Sequence, residues 1–339
     1  SQVLYNGKAG LIDPDLNQQQ KVLNSYGYPM GLADYSAFIL GGLPKQGQTL
    51  EEVKDLLLNE IKKLRAGEFD EKMLQANINN FKLYELQSME SNEGRADIFV
   101  NSFINGTNWK DEVTAIDRMA KLTKEDIVAF ADKYLKEDNY AVVYKKQGKD
   151  PNEKKMTKPE ITPIVSNRDV ASPFLTSIQE NAVKPIEPVF LDFKKDMSQL
   201  TAKSDIPVLY KQNTTNDLFQ LIYVFDMGNN NDKALGTAFD YLEYLGTSDM
   251  TPEELKSEFY RLACTFYVSP GNERTYVVLS GLNENMPAAM QLFEKLLADA
   301  QANKEAYNNL VGDILKARAD AKLNQGQNFS RLMNYAMYG

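Results

Sequence analysis

Apolar side chains in the first part of the chain recur every three or four residues, the spacing of one face of a helix. The series runs through Leu50, Val53, Leu57, Ile61 and Leu64. Thr49 and Glu52 form a capping box before it, and Gly67 supplies a stop signal after it. These signals predict a helix that begins after Thr49 and ends before Gly67.

Further helical patterns follow this one. A run that begins near Asp70 breaks around residues 91–94, and another covers residues 95–104. The first of these two runs directs Met73, Ile78, Phe81 and Leu86 toward a core. Thr123 is placed to cap one more helix, through residue 135. The first part of the chain is therefore predicted to be rich in helix.

Two short apolar runs predict strands at either end of this helical region. Residues 36–40 read Ser-Ala-Phe-Ile-Leu, and residues 140–144 read Tyr-Ala-Val-Val-Tyr. Both are rich in residues that favour strands. Together with the helices they predict an α+β unit that lacks its first strands.

The pattern of strands followed by helices begins again near residue 207. Residues 207–210 and 218–225 are rich in β-formers, and the polar residues 212–216 between them predict a hairpin. The predicted elements that follow are a helix at 233–245, a helix opened by Thr251, Pro252 and Glu254, strands at 265–268 and 275–279, and helices at 286–300 and on through 321. The order β-β-α-α-β-β-α-α predicts an α+β fold in which antiparallel-rich sheets are covered by helices on one face.

A proline-rich stretch separates the two patterns. Six of the 13 prolines fall between Pro151 and Pro188, and proline removes backbone donors, so residues 147–196 are predicted to form an extended linker. The domains are then residues 1–146 and 197–339. The lysines in this stretch are Lys145, Lys146, Lys149, Lys154, Lys155 and Lys158. We interpret these lysines as part of a solvated linker in preference to an anion-binding patch.

The composition excludes several classes of function. The net charge of −9 would repel a nucleic-acid backbone. No apolar run approaches the roughly 20 residues that span a bilayer. The 339 residues include no histidine, which excludes Ser-His-Asp and Cys-His catalysis and the H-E-x-x-H zinc helix within this chain. The single Cys264 is predicted to be a buried apolar residue, not a nucleophile.

Three stretches of the last part of the chain carry a resemblance to a known family. They are residues 236–247 (GTAFDYLEYLGT), 251–254 (TPEE) and 283–297 (NENMPAAMQLFEKLL). Together they resemble the first half of an M16 domain, of the pitrilysin, insulinase and mitochondrial processing peptidase family. Residues 31–144, with Leu-Thr-Lys-Glu-Asp at 122–126, are similar to the family's C-terminal-type domain. The resemblance implies M16-type domains of the kind found in LuxS and mitochondrial processing peptidase.

The resemblance also identifies the positions of a catalytic motif. Active members carry H-x-x-E-H, in which two histidines bind zinc and the glutamate activates water. The matching residues here are Asp240, Glu243 and Tyr244. The resemblance places Ala317 where a distal glutamate ligand belongs, and only Asp313 and Asp320 offer carboxylates nearby. The motif is therefore predicted to be a relic with no catalytic or metal-binding role, and zinc is implied only for a missing part of a longer parent.

The resemblance implies that the chain is a piece of a longer zinc metallopeptidase: the second domain, the linker between the two halves and the first part of the third domain. The leading hypothesis is a catalytically inactive portion that helps to form a substrate chamber and binds unfolded peptide. Its implied partners are the other half of its parent chain or a homologous subunit. The implied location is the bacterial periplasm, or an exported, membrane-associated site.

Two alternatives stay open at this stage. The parent could serve as a scaffold for assembly, without proteolysis. A hard cation could also bind the oxygens of Asp240, Glu243 and Asp320.

Overall fold

The computed structural model describes residues 1–32, 34–149, 156–164 and 166–339. It contains two compact units, one of Ser1–Val142 with Asn213–Gly339 and one of Val143–Gln212. The first and last segments of the chain thus pack together. The predicted linker, 147–196, falls in the second unit, although its residues 150–155 (with Lys154 and Lys155) and 165 lie outside the described residues. The division into domains at 1–146 and 197–339 stays a prediction.

The first segment combines a hairpin with several helices. Its strands are β1 (Asn24–Gly31) and β2 (Ser36–Leu43), and its helices are α1 (Leu50–Ala66), α2 (Lys72–Ser88), α3 (Asn92–Ile104), α4 (Trp109–Val113), α5 (Ala115–Met119) and α6 (Lys124–Tyr134). A π-helix, Asp13–Gln18, precedes the hairpin. Among the described helices, none is long and apolar enough to cross a membrane.

The second unit is small. It contains α7 (Pro173–Gln179) and an antiparallel pair, β3 (Ser198–Thr201) with β4 (Pro207–Tyr210). The predicted hairpin of residues 207–210 with 218–225 is therefore wrong, because residues 207–210 pair with the preceding strand. Residues 140–144 form no strand either, so the predicted closing strand is also wrong.

The last segment is built around a three-stranded antiparallel sheet. Its elements are β5 (Leu218–Phe225), α8 (Leu235–Leu242), α9 (Pro252–Arg261), β6 (Cys264–Pro270), β7 (Thr275–Leu282), α10 (Met286–Asp299), α11 (Lys304–Ala321) and α12 (Gln325–Tyr338). The strand order is β5-β7-β6, so β5 and β6 are edge strands. The helices and small antiparallel sheets confirm the α+β fold class.

One face of this sheet carries the main core of the last segment. The paired residues Leu221, Leu279 and Phe266 lie in one row across the three strands. They pack with Phe259 of α9 and Phe293 of α10. The opposite face leaves Ile222 and other large side chains exposed. Helices thus cover this sheet on one face, as predicted.

Local signals in the sequence define the ends of the helices. Thr49 and Glu52 form the predicted capping box of α1, and Gly67 ends it with a left-handed φ of 71°. Thr123 caps α6 and Thr251 caps α9, each in a capping box. These predictions are confirmed.

The sequence did not predict β1. This strand pairs with β2 along its whole length, from Asn24 opposite Leu43 to Gly31 opposite Ser36. Gly27 and Pro29 interrupt its apolar pattern, and both residues are unfavourable within strands. The strand depends on tertiary contacts with β2 and the π-helix, which the local sequence pattern does not reveal.

Candidate functional site

The degenerate motif lies at the carboxyl end of α8. The helix ends at Leu242, so Glu243 is its C-cap residue and Tyr244 lies beyond it. The amide of Tyr244 donates to the carbonyl of Tyr241, three residues back, at 3.0 Å. This is the tighter spacing of a 3₁₀ turn. The predicted helix at 233–245 is thus too long, and Tyr244 does not continue the helical face of Asp240.

Asp240 and Glu243 are exposed, whereas Tyr244 is partly buried. Burial raises the pKa of the Tyr244 phenol, and the nearby carboxylates of Glu243, Asp313 and Asp240 raise it further. The phenol therefore stays neutral at physiological pH and is a poor ligand for zinc.

A lysine of the next helix faces the motif. Lys256 Nζ lies 3.9 Å from Glu243 Oε2 and 5.8 Å from the centre of the Tyr244 ring. Burial lowers the pKa of Lys256, and the carboxylate of Glu243 opposes that shift. The ammonium of Lys256 thus lies near one carboxylate of the motif, that of Glu243. The donors present here do not fit a zinc ion.

The structure does not bring together the three carboxylates of the hard-cation alternative. Asp320 accepts a hydrogen bond from Lys316 Nζ at 2.6 Å. Within the described ranges, no group of three or more Asp, Glu, Cys or His residues could hold a metal ion. The ligand set of Asp240, Glu243 and Asp320 is therefore not assembled.

A groove runs between α8 and β6. It has a volume of about 170 Å³ and is called the β6 groove. Its apolar walls are formed by Phe239, Leu242, Leu255, Phe259, Phe266 and Val268, and its polar or charged residues include Lys8, Asp240, Glu243, Lys256 and Thr265. Cys264 also lines the groove, but burial raises the pKa of its thiol to about 11, so it is no nucleophile at neutral pH.

The β6 groove follows the free edge of its strand. Among the strands in the described part of the chain, β6 pairs with β7 alone. Side chains from both faces of β6 line the groove, Phe266 on the core face and Tyr267 on the other. An edge strand beside an apolar groove offers backbone donors and acceptors together with a seat for side chains.

A larger cleft of about 590 Å³ lies near Tyr244, between the loop 246–251 and the start of α11. It is open and has a mixed lining, in which Met250, Pro252 and Ala302 lie beside polar residues. Asp299 Oδ2 accepts from both the amide and the hydroxyl of Ser248, and Asp249 Oδ1 accepts from the hydroxyl of Thr247. These polar groups already satisfy one another, so the β6 groove is the better candidate site.

The sequence identified Asp240, Glu243 and Tyr244 but none of the distant residues that lie near them in the structure. Lys256 lies on α9, and Lys8, also on the groove, lies near the start of the chain. Gln18 donates to the backbone carbonyl of Glu243 at 3.1 Å from 225 positions away. No local pattern signals a contact over such a separation.

Comparisons with known proteins gave a match only among solved structures, since no family model and no curated protein matched the chain. The chain is similar to the periplasmic protease PqqL from Escherichia coli, with 13% identity over 97% of this chain and 40% of that chain, at a TM-score of 0.38. It is also similar to the ferredoxin protease FusC, solved with Arabidopsis ferredoxin, with 10% identity over 96% of this chain and 39% of that chain, at a TM-score of 0.39.

A third similar structure is a protease from Helicobacter pylori, with 13% identity over 36% of this chain and 30% of that chain, at a TM-score of 0.32. The chain thus spans about two fifths of the length of PqqL and FusC.

Proposed function

We propose that this chain is a catalytically inactive part of an M16-like zinc peptidase and that it binds an extended stretch of unfolded peptide in the β6 groove. The observation that carries the proposal is the apolar groove along the free edge of β6, next to the helix that bears the degenerate motif. The M16-like pattern of the sequence supplies the family context.

The chemistry of the motif supports binding without catalysis. A glutamate in this position activates water only when a metal lowers the pKa of that water. Asp240 and Tyr244 stand where histidines belong, and Lys256 faces Glu243. No hydrolytic step is therefore assigned to these residues.

Peptide binding at this edge needs no catalytic group. An added strand forms backbone hydrogen bonds with an edge strand, and every second side chain points to the same face. The groove, at about 170 Å³, is large enough for one leucine or phenylalanine side chain. Burial of such a side chain contributes about 1.5–3 kcal/mol.

In the proposed parent, this chain would form part of the wall of a substrate chamber. Its partner would be the other half of the parent chain or a homologous subunit. A periplasmic or exported, membrane-associated location belongs to the same proposal and follows from the family resemblance.

Substitution of a groove glycine tests the proposal. Gly236 lies in α8 on the β6 groove, and a Cβ built there meets no atom within 4 Å. Gly236→Leu should add side-chain volume to the groove, since its Cβ has open space among the described atoms. We expect it to raise the Kd for an unfolded peptide about tenfold or more, since it occupies a leucine-sized seat. Gly312→Leu in α11 is the matched control, because that position also has open space and lies outside the groove.

The probe is a fluorescein-labelled peptide of alternating leucine and serine, with an all-serine peptide for comparison, measured by fluorescence anisotropy. Equal weakening by both glycine variants, or equal binding of both peptides, would contradict the groove as the site. Chelator-sensitive cleavage of the leucine peptide would contradict the inactive assignment. Absence of any peptide binding would favour the scaffold alternative.

A further inference from the structure

Side-chain amides near the start of the chain donate hydrogen bonds to the end of α8 and to α11. Gln18 Nε2, at the end of the π-helix, donates to the carbonyl oxygen of Glu243 at 3.1 Å. Carbonyls in the last turn of a helix have no partner within the helix, so this amide satisfies a group that α8 leaves open. Gln20 Nε2 donates to the carbonyl of Ala306 in α11 at 3.4 Å. Both glutamines are buried.

A lysine extends this contact to α11. Lys45 Nζ lies 3.5 Å from Asp313 Oδ2, and the two side chains are 22% and 18% exposed. The same ammonium donates to the backbone carbonyl of Gln20 at 3.0 Å. Gln20 has a left-handed φ of 52°, a conformation that costs free energy in a non-glycine residue and persists where its surroundings hold it.

A second polar contact joins α2 to α9 in the interior. The hydroxyl of Tyr260 donates to Asn77 Oδ1 at 2.6 Å, and Asn80 Nδ2 donates to the carbonyl of Tyr260 at 2.7 Å. All three residues are buried. Separation of the two helices would break both hydrogen bonds and expose the apolar surface around them.

Apolar packing surrounds this contact. Leu83 of α2 packs with Leu218, Ala263 and Leu282 of the last segment. Ala9 and Ala76 pack against Tyr260. The contact between the first and last segments thus has an apolar core with polar groups that find partners across it, as specific interfaces do.

We propose that residues 1–142 and 213–339 form a specific interface that holds the two segments together without residues 143–212, and that the relic motif region has become one of its docking points. The π-helix and Lys45 contact α8 and α11 at one end of the interface. The α2–α9 contact forms the other end. The partner of the degenerate helix is thus the beginning of the same chain.

Cleavage of the full chain tests this interface. A protease recognition sequence inserted between Ala182 and Val183, in an exposed part of the second unit, allows the folded protein to be cut. We expect the two fragments to elute together from a gel-filtration column after cleavage at about micromolar concentration, with circular dichroism unchanged. Fragments that separate under native conditions would overturn the proposal.

Two variants test the named contacts in the same cut protein. Tyr260→Phe leaves the buried Asn77 Oδ1 without its donor, and Lys45→Met removes the cation that faces Asp313. Each should raise the Kd of the fragments about tenfold, because a buried or half-buried polar partner is left unpaired.

The matched controls are Tyr223→Phe and Lys62→Met. Their polar partners, Glu294 and Glu137, lie in the same segment as the substituted residue. These controls should leave the Kd within about twofold, since exposed polar pairs contribute little. Test and control variants that weaken association equally would overturn the assigned contacts.

Discussion

At the scale of single residues, the carboxylate of Asp13 is buried and accepts several backbone hydrogen bonds. One oxygen, Oδ2, accepts from the amides of Asn6, Gly7 and Gly10 at 3.0, 3.1 and 2.9 Å. These bonds fold the loop that places Ala9 against Tyr260. Burial nonetheless raises the pKa of Asp13 to about 6, because the cost of removing the charge from water exceeds the stabilisation of that charge by the amide hydrogen bonds.

Because of this pKa shift, the free energy of unfolding depends on pH in a definite direction. The folded pKa of about 6 lies above the ordinary value of 3.8, so the folded state binds a proton more tightly than the unfolded state does. The contribution of Asp13 to stability is therefore fully present below about pH 3.8 and is lost as the pH rises through about 6. The loss over this range is about 3 kcal/mol.

Asp13→Asn tests this assignment. The amide oxygen can keep the three backbone hydrogen bonds while the buried charge is removed. We expect the variant to be more stable than the original chain at pH 7, by about 1–3 kcal/mol, and to show a weaker pH dependence between pH 7 and 5. Urea unfolding at both pH values measures this. The exposed Asp117→Asn is the control, and an Asp13→Asn variant that keeps the original pH dependence would contradict the assignment.

At the scale of helices and strands, the structure shows which signals are local. Thr49, Thr123 and Thr251 cap the helices they were predicted to cap. A cap depends on side-chain and backbone groups within four residues, so the sequence alone predicts it. Gly67 works in the same local way, as a left-handed stop after α1.

The end of α1 depends on the left-handed backbone conformation of Gly67. Gly67→Ala should lower the free energy of unfolding by about 1 kcal/mol, because φ is 71° and alanine disfavours that conformation. Gly312→Ala, inside α11, should raise it by about 0.5–1 kcal/mol, since alanine is the better helix former and the site has open space. Urea unfolding of both variants checks the opposite signs. A change of the same sign in both would show that backbone conformation is not the cause.

Strand pairing was harder to predict than helix ends, for a physical reason. Residues 207–210 and 218–225 both have strand composition, and their separation suits a hairpin. In the structure, β4 pairs with β3 and β5 pairs with β7. The choice of partner depends on packing between distant segments, which short-range patterns do not contain.

The same limit applies to the candidate site. The residues Asp240, Glu243 and Tyr244 could be singled out from sequence because their spacing resembles that of a known motif. The contacts of Lys256 and Gln18 with that motif depend on how α9 and the π-helix fold back on α8. Lys256 faces the carboxylate of Glu243, and Gln18 binds its backbone carbonyl, so tertiary structure as well as the missing histidines shapes the surroundings of these residues.

At the scale of the whole molecule, the chain offers few of the side chains that bind zinc. Protein zinc sites are built mainly from cysteine and histidine. The chain has no histidine, and its single thiol, Cys264, is buried with a pKa of about 11. We therefore expect no stoichiometric zinc after exposure of the purified chain to excess zinc and desalting, as measured by elemental analysis.

A variant makes this test sharper. Asp240→His with Tyr244→His places histidines where the resembled zinc motif has them, but Tyr244 lies past the end of α8 and Lys256 still faces Glu243. We expect this double variant to bind zinc weakly, and Lys256→Met added to it to tighten zinc binding, because the competing cation is then removed. Stoichiometric zinc in the unsubstituted chain would show that other ligands build a site. Equal affinity with and without Lys256 would show that its ammonium near Glu243 does not oppose zinc binding.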